Sequence, residues 1–106
     1  VAAYELEFAK AVKIHLAALT ARQRTTILDA IERKLASEPL RESRNRKPLR
    51  PNPIAPWELR VGDLRVFYEV EALPARVVHI LAVGIKDRNV VRIGGQEFRC
   101  ENDQTF

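Results

Sequence analysis

Trp57-Glu58-Leu59-Arg60-Val61-Gly62-Asp63-Leu64-Arg65-Val66-Phe67-Tyr68-Glu69-Val70 reads as two β-strands folded back on each other. Gly62-Asp63 suits a two-residue hairpin loop. Val61 then pairs with Leu64, Arg60 with Arg65, Leu59 with Val66, Glu58 with Phe67 and Trp57 with Tyr68. Because side chains alternate across a strand, Trp57, Leu59, Val61, Leu64, Val66 and Tyr68 share the core face, while Arg60, Arg65 and Phe67 share the other. Two arginines facing each other destabilise a sheet by an amount comparable to the roughly 0.2–1 kcal/mol that a favourable pair contributes. Something must offset that repulsion. An anion held between the two guanidiniums would do so, since each offers a planar fork of donors suited to phosphate oxygens. Glu58 and Glu69 in a surface ladder would also do so, and the residues alone leave both open. As an exposed side chain adding only repulsion, Arg65 is expected to be removable without loss of the fold.

Outward from the hairpin, Val77 to Ile85 is rich in β-branched residues and predicts a third strand, so an antiparallel meander is expected. Upstream, Pro48, Pro51, Pro53 and Pro56 make residues 41–56 a stiff, basic, extended connector. Before it, Thr20 and Gln23 form a capping-box start, and Ile27, Leu28, Ile31 and Leu35 form one apolar helix face that ends by Pro39. Phe8, Val12, Leu16 and Leu19 fall at the spacing of a preceding helix, and Tyr4, Leu6 and Phe8 alternate with Glu5 and Glu7 as in a short strand. Beyond Ile85, Val90, Val91 and Ile93 form an apolar patch, and residues 94–106 are expected to be a flexible tail. The expected architecture is α+β: an N-terminal strand, a two-helix hairpin, then an antiparallel meander, in the order β-α-α-β-β-β, with residues 1–106 forming a single domain.

The 46% hydrophobic and 30% charged composition is that of a globular chain rather than a disordered one. Cys100 has no second cysteine to pair with, and no run approaches the roughly 18 apolar residues that would span a bilayer. The first residues lack the basic and apolar regions of a signal peptide, so the expected location is the cytoplasm. The net charge of +4 is uneven, with residues 41–70 holding seven basic groups against four acidic ones. Arg41, Arg44, Arg46, Lys47 and Arg50 make a stripe that attracts phosphates or an acidic partner, or else a solvated loop. No spacing of His, Cys and carboxylates suggests a metal site, and no cofactor is expected. His79 sits within an apolar run, where a satisfied sheet histidine is commoner than an acid or base, and His15 borders a helix stripe.

The hairpin and its flanks resemble the RelE/ParE toxin superfamily. The stretch 57–70 is similar to the family's Y-x-L-R-V-G-D-Y-R-V-I-Y-E-V segment, and Val77 to Val83 with Gly84-Ile85-Lys86-Asp87-Arg88 is similar to its I-L-x-V-G-x-R-x-x-V-Y ending. The similarity in order of elements extends over residues 4–93. It implies an antiparallel sheet packed on two N-terminal helices. It further implies a type II toxin neutralised by a cognate antitoxin, and an endoribonuclease that cleaves mRNA, usually in the ribosomal A site. In that reaction the RNA's own 2′-hydroxyl attacks the adjacent phosphate, leaving a cyclic phosphate without a metal.

Carried over by position, Arg65 matches the arginine that binds the scissile phosphate, Arg60 the basic position on the neighbouring strand, and Lys86 or Arg88 the cation after the last strand. Arg44, Arg46, Lys47, Arg50 and Phe67 are the expected RNA contacts. The chain departs from the family where several nucleases carry a C-terminal Tyr or His-Tyr, having Val91, Arg92 and Ile93 instead. Lys47 stands where some relatives have a catalytic glutamate, and Glu58 where others have a lysine. Some branches lack the nuclease residues and inhibit DNA gyrase by binding, so a non-catalytic inhibitor, or an inactive relative that binds only antitoxin or nucleic acid, is the alternative.

Overall fold

The computed structural model describes residues 3–99. Chain order runs β1 (Glu5–Phe8), α1 (Lys10–Ala17), α2 (Ala21–Ala30), a π-helical turn (Ile31–Leu35), β2 (Arg46–Pro48), β3 (Trp57–Val61), β4 (Leu64–Glu71), β5 (Val77–Asp87), β6 (Val90–Ile93) and β7 (Gln96–Arg99). This is the expected α+β order, enlarged by three short strands. The strands join in the order β2-β3-β4-β5-β6-β7, all antiparallel, with β1 added parallel to β5.

The β3–β4 register is the one derived above, Arg60 opposite Arg65 and Trp57 opposite Tyr68. Gly62 takes φ +61, a backbone state that costs other L-residues roughly 1–2 kcal/mol. On the inner face Leu59, Leu64, Val66, Tyr68, Val78, Ile80 and Val83 pack against Val12, Leu19, Ile27, Ala30, Ile31 and Leu35. The capping box forms, with Thr20 Oγ1 accepting from the Gln23 amide at 3.1 Å and Gln23 Oε1 from the Thr20 amide at 2.9 Å. Arg24 joins the two helices by donating to the carbonyls of Leu19 at 2.6 Å and Leu16 at 3.2 Å. Ile27, Ile31 and Leu35 repeat every four residues, a spacing that drifts roughly 40° per step around a regular α-helix. The wider π turn keeps them on the sheet. Phe8 and Leu28, expected on the helix stripes, are instead exposed: Phe8 belongs to β1, and Leu28 points beside the stripe. Tyr68 Oη donates to the buried Pro39 carbonyl at 2.6 Å, tying the end of the helical layer to the sheet; burial raises its pKa far above the ordinary phenol value.

The basic connector is only partly irregular. Arg46–Pro48 pairs with β3 as the edge strand β2, a place where proline's missing donor is tolerated. Residues 49–56 close into a loop, with the Leu49 amide donating to Pro56 O at 2.8 Å. Asn52 holds that loop with four hydrogen bonds, donating to Arg50 O and Ala55 O and accepting from the Ile54 and Ala55 amides.

At the other end, Gly94 and Gly95 both take positive φ and turn β6 into β7. The segment expected as a flexible tail thus begins as a strand, because Gln96–Arg99 pairs with β6 and Phe98 packs on the outer apolar cluster. The remainder of that segment, including Cys100, lies outside the described residues. No helix among them is long and apolar enough to cross a membrane.

Candidate functional site: the outer face of the sheet

Alternation puts Lys47, Glu58, Arg60, Arg65, Phe67, Ala82, Gly84 and Lys86 on the face turned away from the helices, and the observed register joins them: Lys47 opposite Glu58, Arg60 opposite Arg65, Arg65 opposite Gly84. That face is not open. Loop 49–56 and the β6–β7 hairpin fold over it, so Ala55, Phe67, Ala82, Val91 and Ile93 form a second buried cluster with Leu49, Ile54, Leu81 and Phe98 at its edges. An extra residue, Leu81, interrupts the β4–β5 register and widens the apolar strip under the loop.

This second layer changes the expected roles of several residues. Phe67 has no exposed surface, so it cannot stack on a base; it is the hub of the outer cluster. Arg65 is only 8% exposed, not an exposed repulsive neighbour of Arg60. One guanidinium nitrogen, Nη1, donates to Gly62 O at 2.7 Å and Leu64 O at 2.9 Å, clamping the side chain to the hairpin turn. Of the two carboxylates expected to neutralise the arginines, Glu58 faces both. Its carboxylate is wholly buried, with Oε2 accepting from Arg60 Nε at 3.0 Å and Oε1 lying 3.8 Å from Arg65 Nε.

Arg46 also leaves the predicted RNA-binding set. It shares the inner face with Leu59, its register partner, and its guanidinium donates to Lys34 O at 3.1 Å and Glu38 O at 2.8 Å. It therefore satisfies carbonyls at the end of the helical layer, a place that suits a cation. Arg44 and Arg50 are exposed, and Lys47 and Lys86 are half-buried. Lys86 lies two residues beyond Gly84 on the strand beside Arg65, which puts it on the arginines' face. Arg88 sits at the β5–β6 turn with φ +57, a sparsely populated conformation for a non-glycine residue. Arg92 lies on the opposite face, paired with Glu97 at 3.1 Å and Asp87 at 3.4 Å, and its hydrogen bond to Glu97 raises its pKa further.

The two histidines are structural. His79 is flanked by Glu7 and Glu71, each 3.3 Å from one ring nitrogen, and so ties β1 to β4 across β5. His15 fills a gap along β5: β1 covers residues 77–80 and β6 covers 85–87, and between them the Val83 amide donates to His15 Nδ1 at 3.4 Å. Burial lowers the pKa of His15. Among the described residues no group of three or more His, Cys, Asp or Glu side chains converges as metal ligands. The sequence marks Glu58 as a partner of the arginines through its parity with them, but carries no signal for Arg46, Asn52 and His15 as structural partners.

No family model matches this sequence, and no curated protein matches it. Among solved structures, a chain from the crystal structure of the toxin–antitoxin complex RelBE2 of Mycobacterium tuberculosis superposes with a TM-score of 0.68 at 26% identity, covering 79% of this chain and 99% of that one. The N-terminal strand, helix pair and antiparallel sheet of this chain match a RelE-like α+β fold. The fold is that of the RelE-like toxin superfamily, which this similarity supports for the chain.

Proposed function

We propose that this chain is the toxin of a toxin–antitoxin pair and that its outer face cleaves mRNA without a metal. The observation that carries the reading is the pairing of Arg60 with Arg65 on one face, with Lys86 on the strand beside them. Cleavage by an RNA's own 2′-hydroxyl passes through a pentacovalent phosphorane, and fixed cations aimed at its oxygens lower the barrier. Arg65 suits that task because its clamp on two carbonyls holds it in place before substrate arrives. Arg60, with 29% of its side chain exposed, would meet the phosphate first, and Lys86 would face the strand leaving the site. Arg44, Lys47 and Arg50 would contact flanking phosphates and steer the RNA.

A cognate antitoxin is the proposed partner. The neighbouring structure is a toxin–antitoxin complex, and this chain offers two surfaces to such a partner. One is the basic outer face. The other is an apolar groove of 460 Å³ between β1 and the helices, lined by Phe8, Val12, Leu16 and Leu28 and rimmed by Lys10 and Lys13, which suits an acidic amphipathic segment.

One observation favours a second reading. Val91, Arg92 and Ile93 stand where nuclease relatives carry Tyr or His-Tyr; Val91 and Ile93 are buried in the outer cluster, Arg92 is paired with Asp87 and Glu97, and His79 is engaged by carboxylates further along β5. These leave proton transfer without an evident donor beside Arg65, as in a non-catalytic gyrase inhibitor. Incubation of the purified chain with a defined mRNA, alone and on ribosomes, followed by primer extension and analysis of the new ends, separates the two. New 5′ ends with 2′,3′-cyclic phosphate partners are expected. Intact RNA under both conditions, together with inhibition of gyrase supercoiling, would replace the nuclease by the inhibitor.

A further inference from the structure

A carboxylate removed from water is costly unless cations and donors surround it. Glu58 is wholly buried, yet only one of its oxygens has a hydrogen bond: Oε2 accepts from Arg60 Nε, while no described residue donates to Oε1. The two arginines are unequal partners. Arg65 is buried and clamped on the Gly62 and Leu64 carbonyls, whereas Arg60 touches Glu58 through Nε and keeps 29% of its side chain in solvent. Glu58 therefore stands where an external anion would have to lie to bridge both guanidiniums. With it in place the trio carries one net positive charge instead of two.

We infer that Glu58 is a built-in counter-ion that competes with phosphate for Arg60, so that the anion site opens when Arg60 swings away from the carboxylate and closes when it returns. The inference rests on the reading of Arg60 and Arg65 as phosphate ligands. It turns the site from a fixed cationic pair into a fixed arginine and a movable one. Glu58 is thus neither a proton acceptor for the 2′-hydroxyl nor a residue in contact with RNA. It sets the affinity threshold that a phosphate must exceed.

The test uses a 2′-O-methyl oligoribonucleotide, which binds but cannot be cut, and compares wild type with Glu58→Gln, Arg60→Gln and the double variant. Glu58→Gln should bind about tenfold tighter, the scale of one charge-assisted hydrogen bond no longer competed for. Its logarithmic salt dependence should steepen by about 0.7, one further cation on a single strand. The double variant should bind like Arg60→Gln alone. Folded Glu58→Gln that binds no better than wild type, or more weakly, overturns the inference and makes Glu58 a residue that aims Arg60. Should Glu58→Gln not fold, the wild type decides. Its Arg60 Nε–H nitrogen resonance should move when the oligonucleotide binds, and an unchanged resonance in the bound state overturns the inference. A cleavable RNA run beside these separates the two readings. Tighter binding by Glu58→Gln with no cleavage by any variant removes the nuclease and leaves the counter-ion.

Discussion

The two faces of the sheet are built from the same strands by different rules. The inner face is covered by helices whose apolar residues recur at fixed spacing, and every wholly buried side chain there is apolar except Tyr68, whose hydroxyl finds Pro39. The outer face is covered by irregular chain, a proline-rich loop and a two-stranded hairpin, and it buries Glu58 and Arg65 beside Phe67 and Ala82. A helix layer supplies many apolar contacts and few free polar groups. A loop layer leaves backbone carbonyls and crevices that can hold buried charge. The outer face can thus hold an ionic site within a packed structure, at the expense of a small apolar cluster that few residues maintain.

That contrast is broken most directly at Phe67. Phe67→Ala should cost about 3–5 kcal/mol, the range for removing a buried aromatic ring. Denaturant unfolding measures the loss. Hydrogen exchange should then show loop 49–56 and the β6–β7 hairpin opening before the helix-covered face. Equal loss of protection on both faces would mean that the two layers are one cooperative unit.

Arg65→Ala comes next. Cleavage should slow by about 10²–10³-fold, as when one preorganised electrostatic contact is removed. The buried setting adds a second effect: stability should fall by about 1–3 kcal/mol, because Glu58 loses one of its cations. A folded, equally stable and fully active Arg65→Ala would defeat both the site assignment and the account of the buried trio.

The third comparison sets Arg46 against its neighbours in the basic stretch. Arg46→Gln should reduce stability by about 1.5–3 kcal/mol through lost charge-assisted bonds to Lys34 O and Glu38 O, with RNA affinity nearly unchanged. Arg44→Gln and Arg50→Gln should do the reverse, leaving stability unchanged and flattening the salt dependence of binding by about 0.7 each. Thermal melts and binding titrations on the three variants check the split.

The smallest effect is expected at His15. Burial holds its pKa below the ordinary 6.5, so between the two values the unfolded chain binds a proton that the folded chain does not. Stability should therefore be full above about pH 6.5 and fall as the pH drops through that window, where protonation removes the acceptor that Val83 uses. His15→Gln should show a shallower decline than wild type in unfolding measured across that range.

Much of the fold was legible because its signals are local. The Gly62-Asp63 turn fixes the β3–β4 register, alternation fixes the core face of both strands, and Thr20 with Gln23 marks the start of α2. What escaped depends on distant chain. Phe67 and Arg65 lie on the face that a single hairpin would leave to solvent, and only the return of residues 49–56 and 90–99 buries them. No periodicity within 57–70 carries that information. In the sequence Arg46 groups with the phosphate-binding cations because β2, with Pro48 in it, does not read as a strand, and its inward face is set by pairing with Leu59. The arginine pair was found as a conflict in need of an offset, but the identity of the offset required knowing that Glu58 is sealed from water.

Gly84 carries a consequence for mutational tolerance. Any β-carbon at this position would collide with the Arg92 carbonyl and come within 2.8 Å of Ile93 Cγ1, whereas Gly62 has open space and is constrained only by its φ of +61. In a library of all substitutions selected for a folded product, position 62 should admit Asn and Asp, which visit the left-handed region at modest cost, while position 84 should admit nothing but glycine. The two glycines would then separate on one map as conformational and steric requirements. Because Gly84 is the register partner of Arg65, the blank row at 84 would also mark, from genetics alone, where the hairpin closes down beside the buried arginine.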